Sequence, residues 1–273
     1  MERGKLRMVF DMKEESEIFD KAASYYDLYR PSYPGELVEE LVKHTHIDKH
    51  SKTLEIGAGS GKATELLVSY GFHIHCIDAG ENLVKKGQKK FSGNKNISYE
   101  CIRFEDMKDS GERYDTIFSA QAFHWVPQPV GYEKCARFLK KDGYLAPFWN
   151  MYLYDDREED QKLIELLDKY GGFYFVTETE AENRIMSIVQ GFEDSGLFHS
   201  PTVYRQYWEK EYTADEYYGF LQTTNGFLKL PEGEKRNAYN DIVELAEQFG
   251  GKIKRPYLAV LYMARKKSGK EEL

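Results

Sequence analysis

The stretch Thr53-Leu54-Glu55-Ile56-Gly57-Ala58-Gly59-Ser60-Gly61-Lys62-Ala63-Thr64 constrains this chain more than any other. A short β-forming run enters three alternating glycines and passes at once into a helix-forming segment. Glycine is required where a turn needs positive φ, or where the backbone must approach a ligand with no Cβ in the way. The helix that follows aims its unpaired N–H groups at whatever is bound there. The stretch therefore predicts an α/β fold with a nucleotide-like ligand at the end of its first strand. The spacing narrows this. A dinucleotide fingerprint, G-x-G-x-x-G, would need glycine at position 62, which is Lys62. The third glycine comes one residue early, and an acid, Glu55, stands two residues before the first.

The rest of the chain has the rhythm of such a fold. Its 273 residues suit one large domain, or one domain with an insertion, at roughly 150 residues per domain. Helical spacing over Glu14–Arg30 stops at Pro31, and Pro34 opens a second helix with Leu37, Val38, Leu41 and Val42 on one face. From Thr53 onward, strand-length apolar runs alternate with helical segments, which predicts a mainly parallel sheet. The expected strands are Thr53–Gly57, His73–Asp78, Ile97–Ile102, Tyr114–Ser119 and Gly143–Trp149. The expected helices between them lie near Gly61–Tyr70, Glu81–Phe91 and Gly131–Leu139, with at most one helical turn in Met107–Arg113. Asn150–Ser200 departs from the pattern: one clear helix, Glu158–Tyr170, then the Gly171-Gly172 break and the aromatic stretch Phe173–Val176. It is expected to be an insertion capping the open end of the sheet. A strand over Pro201–Tyr212 follows, then a helix begun by the capping box Thr213-Ala214-Asp215-Glu216. A last helix from Pro231 to Phe249, a final strand over Pro256–Arg265 and a solvated tail from Lys266 complete the reading.

Composition excludes several classes. Hydrophobic residues at 41% and charged residues at 31% suit a globular chain and exclude a wholly disordered one. The longest apolar run, Tyr257–Ala264, is far short of the roughly 18–20 residues that cross a bilayer, so no membrane association is expected. Met1–Lys13 has no signal-peptide core, and Cys76, Cys101 and Cys135 read as small buried residues, so a reducing cytoplasmic location is expected. A net charge of −8 lacks the footprint of a nucleic-acid binder. The 21 Tyr, 16 Phe and 3 Trp serve either a ring-rich core or a pocket for a planar or cationic ligand. His73 and His75 have metal-ligand spacing but no third ligand, so no metal is expected.

Motifs further along extend the glycine loop into a family resemblance. Asp78 ends the second strand; it reads either as a ribose-binding carboxylate or as the cap of the next helix. Arg103-Phe104-Glu105-Asp106 follows the third strand, and Ala120-Gln121-Ala122-Phe123-His124-Trp125 follows the fourth. With the E-x-G-x-G-x-G order, these segments resemble class I S-adenosylmethionine (SAM) dependent methyltransferases. Tyr25-Tyr26-Asp27-Leu28-Tyr29-Arg30-Pro31-Ser32-Tyr33-Pro34 and Phe249-Gly250-Gly251-Lys252-Ile253-Lys254-Arg255-Pro256-Tyr257 are similar to segments of a small-molecule branch, the type 11, trans-aconitate or ubiquinone methyltransferase-like enzymes. The resemblance covers most of the chain and is weakest over Asn150–Ser200, where acceptor choice would lie. It implies a Rossmann-like, doubly wound, seven-stranded, mostly parallel sheet with the last strand antiparallel, a helical N-terminal lid and an insertion after strand five. The expected division is one domain with a lid at 14–48, a cofactor-binding core at 49–149, a capping insertion at 150–200 and the rest of the sheet at 201–266.

The resemblance also implies roles. SAM is the expected cofactor and S-adenosylhomocysteine the product. Glu55 would organise the methionine amino end, with Gly57, Ala58, Gly59 and Gly61 giving backbone access. Asp78 and Ala79 would hold the ribose, and Arg103, Phe104 and Glu105 would border the adenine. Ser119, Ala120 and Gln121 would border the sulfonium, while Tyr25 and Arg30 close over it, Arg30 toward its carboxylate. Trp125, Trp149 and Tyr152, with Phe173 and Tyr174, would form an aromatic wall for a small-molecule acceptor. His124 is the candidate general base if the acceptor must lose a proton, and otherwise packs beside Trp125. The alternatives are a SAM-binding module without catalysis and an NAD-dependent oxidoreductase.

Overall fold

The computed structural model describes residues 28–173 and 175–268. Among them, α1 (Gly35–Thr45) precedes the units β1 (Lys52–Ile56), α2 (Lys62–Leu67), β2 (His73–Asp78), α3 (Glu81–Lys90), β3 (Ile97–Cys101), β4 (Tyr114–Ala120), α4 (Val130–Phe138) and β5 (Leu139–Tyr152). Then come α5 (Glu158–Asp168), α6 (Glu178–Asp194), β6 (Thr202–Tyr212), α7 (Ala214–Leu221), the short α8 (Asn225–Leu228), α9 (Glu232–Gln248) and β7 (Ile253–Arg265). The strands form one seven-stranded sheet in the order β3-β2-β1-β4-β5-β7-β6, with β7 antiparallel to both neighbours. This is the expected Rossmann-like sheet. The order reverses between β1 and β4, so these strands diverge at their carboxyl ends, where such sheets bind ligands.

Both faces of the sheet are covered, so the central strands bury alternate residues in opposite directions. In β7, Leu258, Val260 and Tyr262 pack with α4 and α6, while Ala259, Leu261 and Met263 pack with α1 and α2. A third cluster joins α5, α7 and α9 around Tyr212, Tyr217 and Tyr257. Much of the aromatic content is accounted for here: the Tyr212 and Tyr257 hydroxyls meet at 2.6 Å, and rings of Tyr152, Phe173 and Phe220 pack edge to face beside them. No helix among the described residues is long and apolar enough to cross a membrane.

Several expectations change. Residues 150–200 hold two helices, α5 and the 17-residue α6, where one was expected. The missed helix starts at a capping box, Thr177 with Glu180, the same signal that marks α7 at Thr213. Its apolar positions Ala181, Ile185 and Phe192 are sparse enough that periodicity alone does not reveal it. β5 extends well beyond Gly143–Trp149 in both directions, and the turn expected in Met107–Arg113 lies earlier, at Phe104–Asp106. Cys76 and Cys135 are buried but Cys101 is exposed, because β3 is an edge strand. Lys266 is half-buried rather than solvated, its ammonium donating to the Leu139 carbonyl. The helix expected over Glu14–Arg30 lies almost wholly outside the described residues.

Candidate active site

The loop after β1 turns through positive φ at Gly57, Gly59 and Gly61. At Gly57 a Cβ would collide with the Ala122 side chain, so the loop can lie against the β4 end only without one. Beneath the loop, Glu55 is 1% exposed. Thr64 donates to its Oε2 at 2.6 Å, and Thr64 in turn lies 3.3 Å from the Tyr99 hydroxyl and 3.6 Å from Cys76 Sγ. Burial, with a smaller contribution from the neighbouring Asp78 carboxylate, pushes the Glu55 pKa up to about 8, against which the Thr64 hydrogen bond acts. The free site thus holds this carboxyl protonated near neutral pH, ready to ionise beside a cation.

Asp78 is fixed by backbone donors on both sides: Gly59 N–H to Oδ2 and Gly80 N–H to Oδ1, each at 2.8 Å. The first bond ties the glycine loop to the β2 end. Asp78 does not cap α3, whose N-cap is Gly80 without a side-chain bond; its carboxylate braces the loop and lines the cavity. Ala79, Leu83 and Ile102 line an apolar slot beside it. The Arg103 guanidinium pairs with Glu105 at 2.7 Å. The Phe104 ring is 3% exposed and packs edge to face on Phe138, so its contact with the slot is a minor one. The Lys134 ammonium donates to the carbonyls of Glu105 and Met107, holding this turn from behind.

The other half of the cavity is built from the ends of β4 and β5, residues 123–125 and α6. Gln121 has φ of 59°, and its side-chain amide donates to the Asn150 carbonyl at 3.1 Å. Asn150 itself links three elements, donating to the Ser32 carbonyl and accepting from the Trp208 indole. His124 opens onto the cavity, its ring tilted against that of Trp125 with centroids 4.8 Å apart, and its Nδ1 accepts from the Trp149 indole at 3.2 Å. His124 keeps an exposed face, yet desolvation by the surrounding cavity wall first, then the Arg184 charge, lower its pKa to about 4. Arg30 donates to the Thr223 hydroxyl, the Thr223 carbonyl and the Tyr152 hydroxyl, with Phe220 beneath it.

These parts surround one cavity of 1210 Å³. That exceeds the roughly 300–1,000 Å³ typical of a single-ligand site. Of the residues singled out from sequence, Arg30, Glu55, Gly57, Ala58, Gly59, Asp78, Ala79, Arg103, Phe104, Glu105, Ala120, Gln121, His124, Trp125, Trp149 and Tyr152 line it. Two do not. Ser119 is fully buried and its hydroxyl donates to the Ile56 carbonyl, pinning β4 to β1. Gly61 faces Phe91 and Tyr99, where a Cβ would collide, so it serves the packing of α2 on α3 and β3. Tyr25 and Tyr174 lie outside the described residues. The sequence reading missed Arg184, Ser187 and Ile188 on α6, and Asn150 and Tyr132. The Thr177 capping box was the available signal for the α6 residues; for Asn150 and Tyr132 there was none, since both act through distant partners.

The comparisons with known proteins agree with this geometry. Residues 54–146 match the family model described as a methyltransferase domain. An uncharacterized methyltransferase-like protein of Schizosaccharomyces pombe is 27% identical over 257 residues, covering 90% of this chain and 94% of the relative. A Saccharomyces cerevisiae protein described as a probable S-adenosylmethionine-dependent methyltransferase is 28% identical over 153 residues, 55% of this chain and 52% of that one. Among solved structures, a Haemonchus contortus phosphoethanolamine N-methyltransferase in complex with phosphomonomethylethanolamine and S-adenosylhomocysteine shares the fold. Its TM-score is 0.56 at 13% identity, covering 94% of this chain and 60% of that one. The sheet order, the acid-and-triple-glycine loop and the methyltransferase-domain match over residues 54–146 together support a class I S-adenosylmethionine-dependent methyltransferase.

Proposed function

We propose that the chain moves a methyl group from SAM to a small-molecule acceptor by in-line displacement, both reactants lying in the one cavity. The observation that carries this reading is the continuity of the cavity from the glycine loop to the aromatic wall of Trp125 and Trp149. The residues present fit the cofactor. Asp78 offers a carboxylate held by two backbone donors, so it is oriented toward vicinal ribose hydroxyls before any ligand arrives. Gly59, where a Cβ would meet only open space, leaves the loop backbone accessible to the methionine portion, and Glu55 lies beneath the loop as counter-charge for an ammonium group. The slot of Ala79, Leu83 and Ile102 suits a planar base.

When bound, SAM supplies an electrophilic methyl group on a sulfonium whose departure needs no proton. The protein's contribution is then alignment and exclusion of water. Holding two reactants in line is worth about 7–11 kcal/mol of barrier. Arg30, tied to Thr223 and Tyr152, joins the segment before α1 to the C-terminal helices and so closes one side of the cavity. Its guanidinium serves this closure, in addition to any contact with the cofactor carboxylate. The proposed layout remains a lid at 14–48, a core at 49–149, a cap at 150–200 and the sheet completed by 201–266.

Calorimetric titration with SAM and with NAD tests the cofactor, and release of S-adenosylhomocysteine across a panel of acceptors tests the reaction. Binding of SAM and not NAD, with acceptor-dependent release, is the expected result. NAD binding in place of SAM would refute the reading.

A further inference from the structure

β6 ends the sheet, and its 11 residues pair with β7 in an unbroken register from Thr202 opposite Met263 to Tyr212 opposite Ile253. The outer edge of such a strand carries a row of N–H and C=O groups that no ladder uses. Which residues own that row follows from Pro256. The Pro256 carbonyl accepts from the Leu153 N–H, so its backbone faces β5. In an antiparallel ladder both backbone groups of a residue point to one side, and successive residues alternate. Glu209, opposite Pro256, therefore turns its own N–H and C=O away from β7. Val203, Arg205, Tyr207 and Glu211, at even steps from it, do the same. Among the described residues, no backbone hydrogen bond from outside the sheet reaches these five.

The side chains of the same residues stand on the face that α6 covers. Arg205 donates twice to the Glu182 carboxylate of α6, each bond at 3.1 Å, and Glu209 accepts from Arg157 at 2.9 Å. Between them Tyr207 is 57% exposed. Met186, one turn along α6 from Glu182 and on the same side, is 62% exposed. Natural sheets keep their edges from pairing by making them short or bulged, by proline, or by charge. β6 is long, unbulged and free of proline, so its charges decide what can join it.

Those charges are self-complementary. A second copy can pair with this edge only where outward residues meet outward residues, so each symmetric antiparallel register is centred on a single residue. Centring on Arg205 or Glu209 sets like charges opposite, and centring on Gln206 pairs no charges. Centring on Trp208 brings Arg205 to Glu211 but shortens the ladder. Centring on Tyr207 uses the whole edge: Tyr207 meets Tyr207, and Arg205 meets Glu209 on both sides of the axis. The ion pairs already present then extend across the junction as an alternating row, from Glu182 and Arg205 of one copy to Glu209 and Arg157 of the other. Charges of this kind fix register and partner, while the backbone ladder and the central rings supply the affinity. We propose that the chain forms a two-fold dimer through β6, paired antiparallel about Tyr207, which joins the two sheets and sets α6 of both copies on one face.

Analytical ultracentrifugation of the full chain should show a dimer with a dissociation constant of about 10 μM or tighter. Arg205→Glu and Glu209→Arg each set like charges opposite on both sides of the axis, and each should weaken the dimer about tenfold or more. An equimolar mixture of the two variants should regain it, because each altered position then faces its complement; a variant that merely folds badly gives no such rescue. Single cysteines read the register, with Cys101, exposed on the far edge strand, replaced by serine. Tyr207→Cys brings two Cα atoms to about 5.5 Å, within disulfide range, and mild oxidation should link the copies. Glu211→Cys leaves its pair roughly 27 Å apart and should not link them. A chain still monomeric at about 100 μM would overturn the proposal, whether residues 1–27 or an unlike protein covers the edge. So would a dimer indifferent to both charge reversals, or linkage at position 211 in place of 207.

Discussion

Replacing Glu55 by Gln should flatten the pH dependence of folding stability, and the size of the effect follows from the burial of one carboxyl. Glu55 has a pKa of about 8 in the folded chain, against an ordinary value of 4.5. Below pH 4.5 both folded and unfolded chains hold the proton, and the group costs nothing. As pH rises above 4.5 the unfolded chain ionises while the folded one stays protonated, so stability falls by up to about 1.4 kcal/mol per pH unit until pH 8 is passed. The whole span amounts to about 5 kcal/mol at most. A glutamine amide fills the same space, accepts from Thr64 through its carbonyl, and has no such titration. Urea unfolding at pH 5, 6, 7 and 8 is the assay. The two proteins should be nearly equal at pH 5 and diverge steadily, with Glu55→Gln a few kcal/mol more stable at pH 8. Parallel curves over this range would refute the assignment of a protonated, buried Glu55. The same group predicts that SAM binding at pH 7 releases most of one proton, seen as a dependence of calorimetric enthalpy on buffer ionisation heat; Glu55→Gln should abolish that release.

Further predictions concern other parts of the molecule. Asp78→Ala removes the acceptor of the Gly59 and Gly80 N–H groups as well as the ribose partner. At about 1.5–3 kcal/mol for hydrogen bonds to a charged group, SAM affinity by calorimetry should fall about 10- to 150-fold. Asp160→Asn leaves the fully buried Arg255 guanidinium, which also holds the Leu153 carbonyl, without its counter-charge. The expected loss is about 3–5 kcal/mol in urea unfolding. Thr177→Ala breaks the capping box of α6 at a cost of about 1 kcal/mol. Because α6 carries Arg184, KM for the acceptor should rise while SAM affinity holds. His124, with its pKa lowered to about 4, should leave kcat flat between pH 5.5 and 8; a step near pH 6.5 would show that it titrates as an ordinary histidine.

The glycine loop, the parallel strands and Asp78 were legible in the linear chain because each depends on near neighbours. Positive φ at Gly57 and Gly59, the turn into α2 and the strand periodicities are local requirements, written in consecutive residues. Where a residue's neighbours come from far along the chain, local reading failed. Gly61 and Ser119 carry motif positions, yet their surroundings are set by Phe91, Tyr99 and the Ile56 carbonyl, and they turn away from the cavity. Arg184 reaches the site only because α6 packs Ala181, Ile185 and Phe192 against the sheet, across a segment with weak periodicity. His124 is the sharpest case. Its residue type and position allowed a base or a packing role, and nothing adjacent chose between them. What the linear chain does not show is its partner, the Trp149 indole 25 residues away on β5, because which nitrogen of an imidazole carries the proton depends on the partner the other one finds in space.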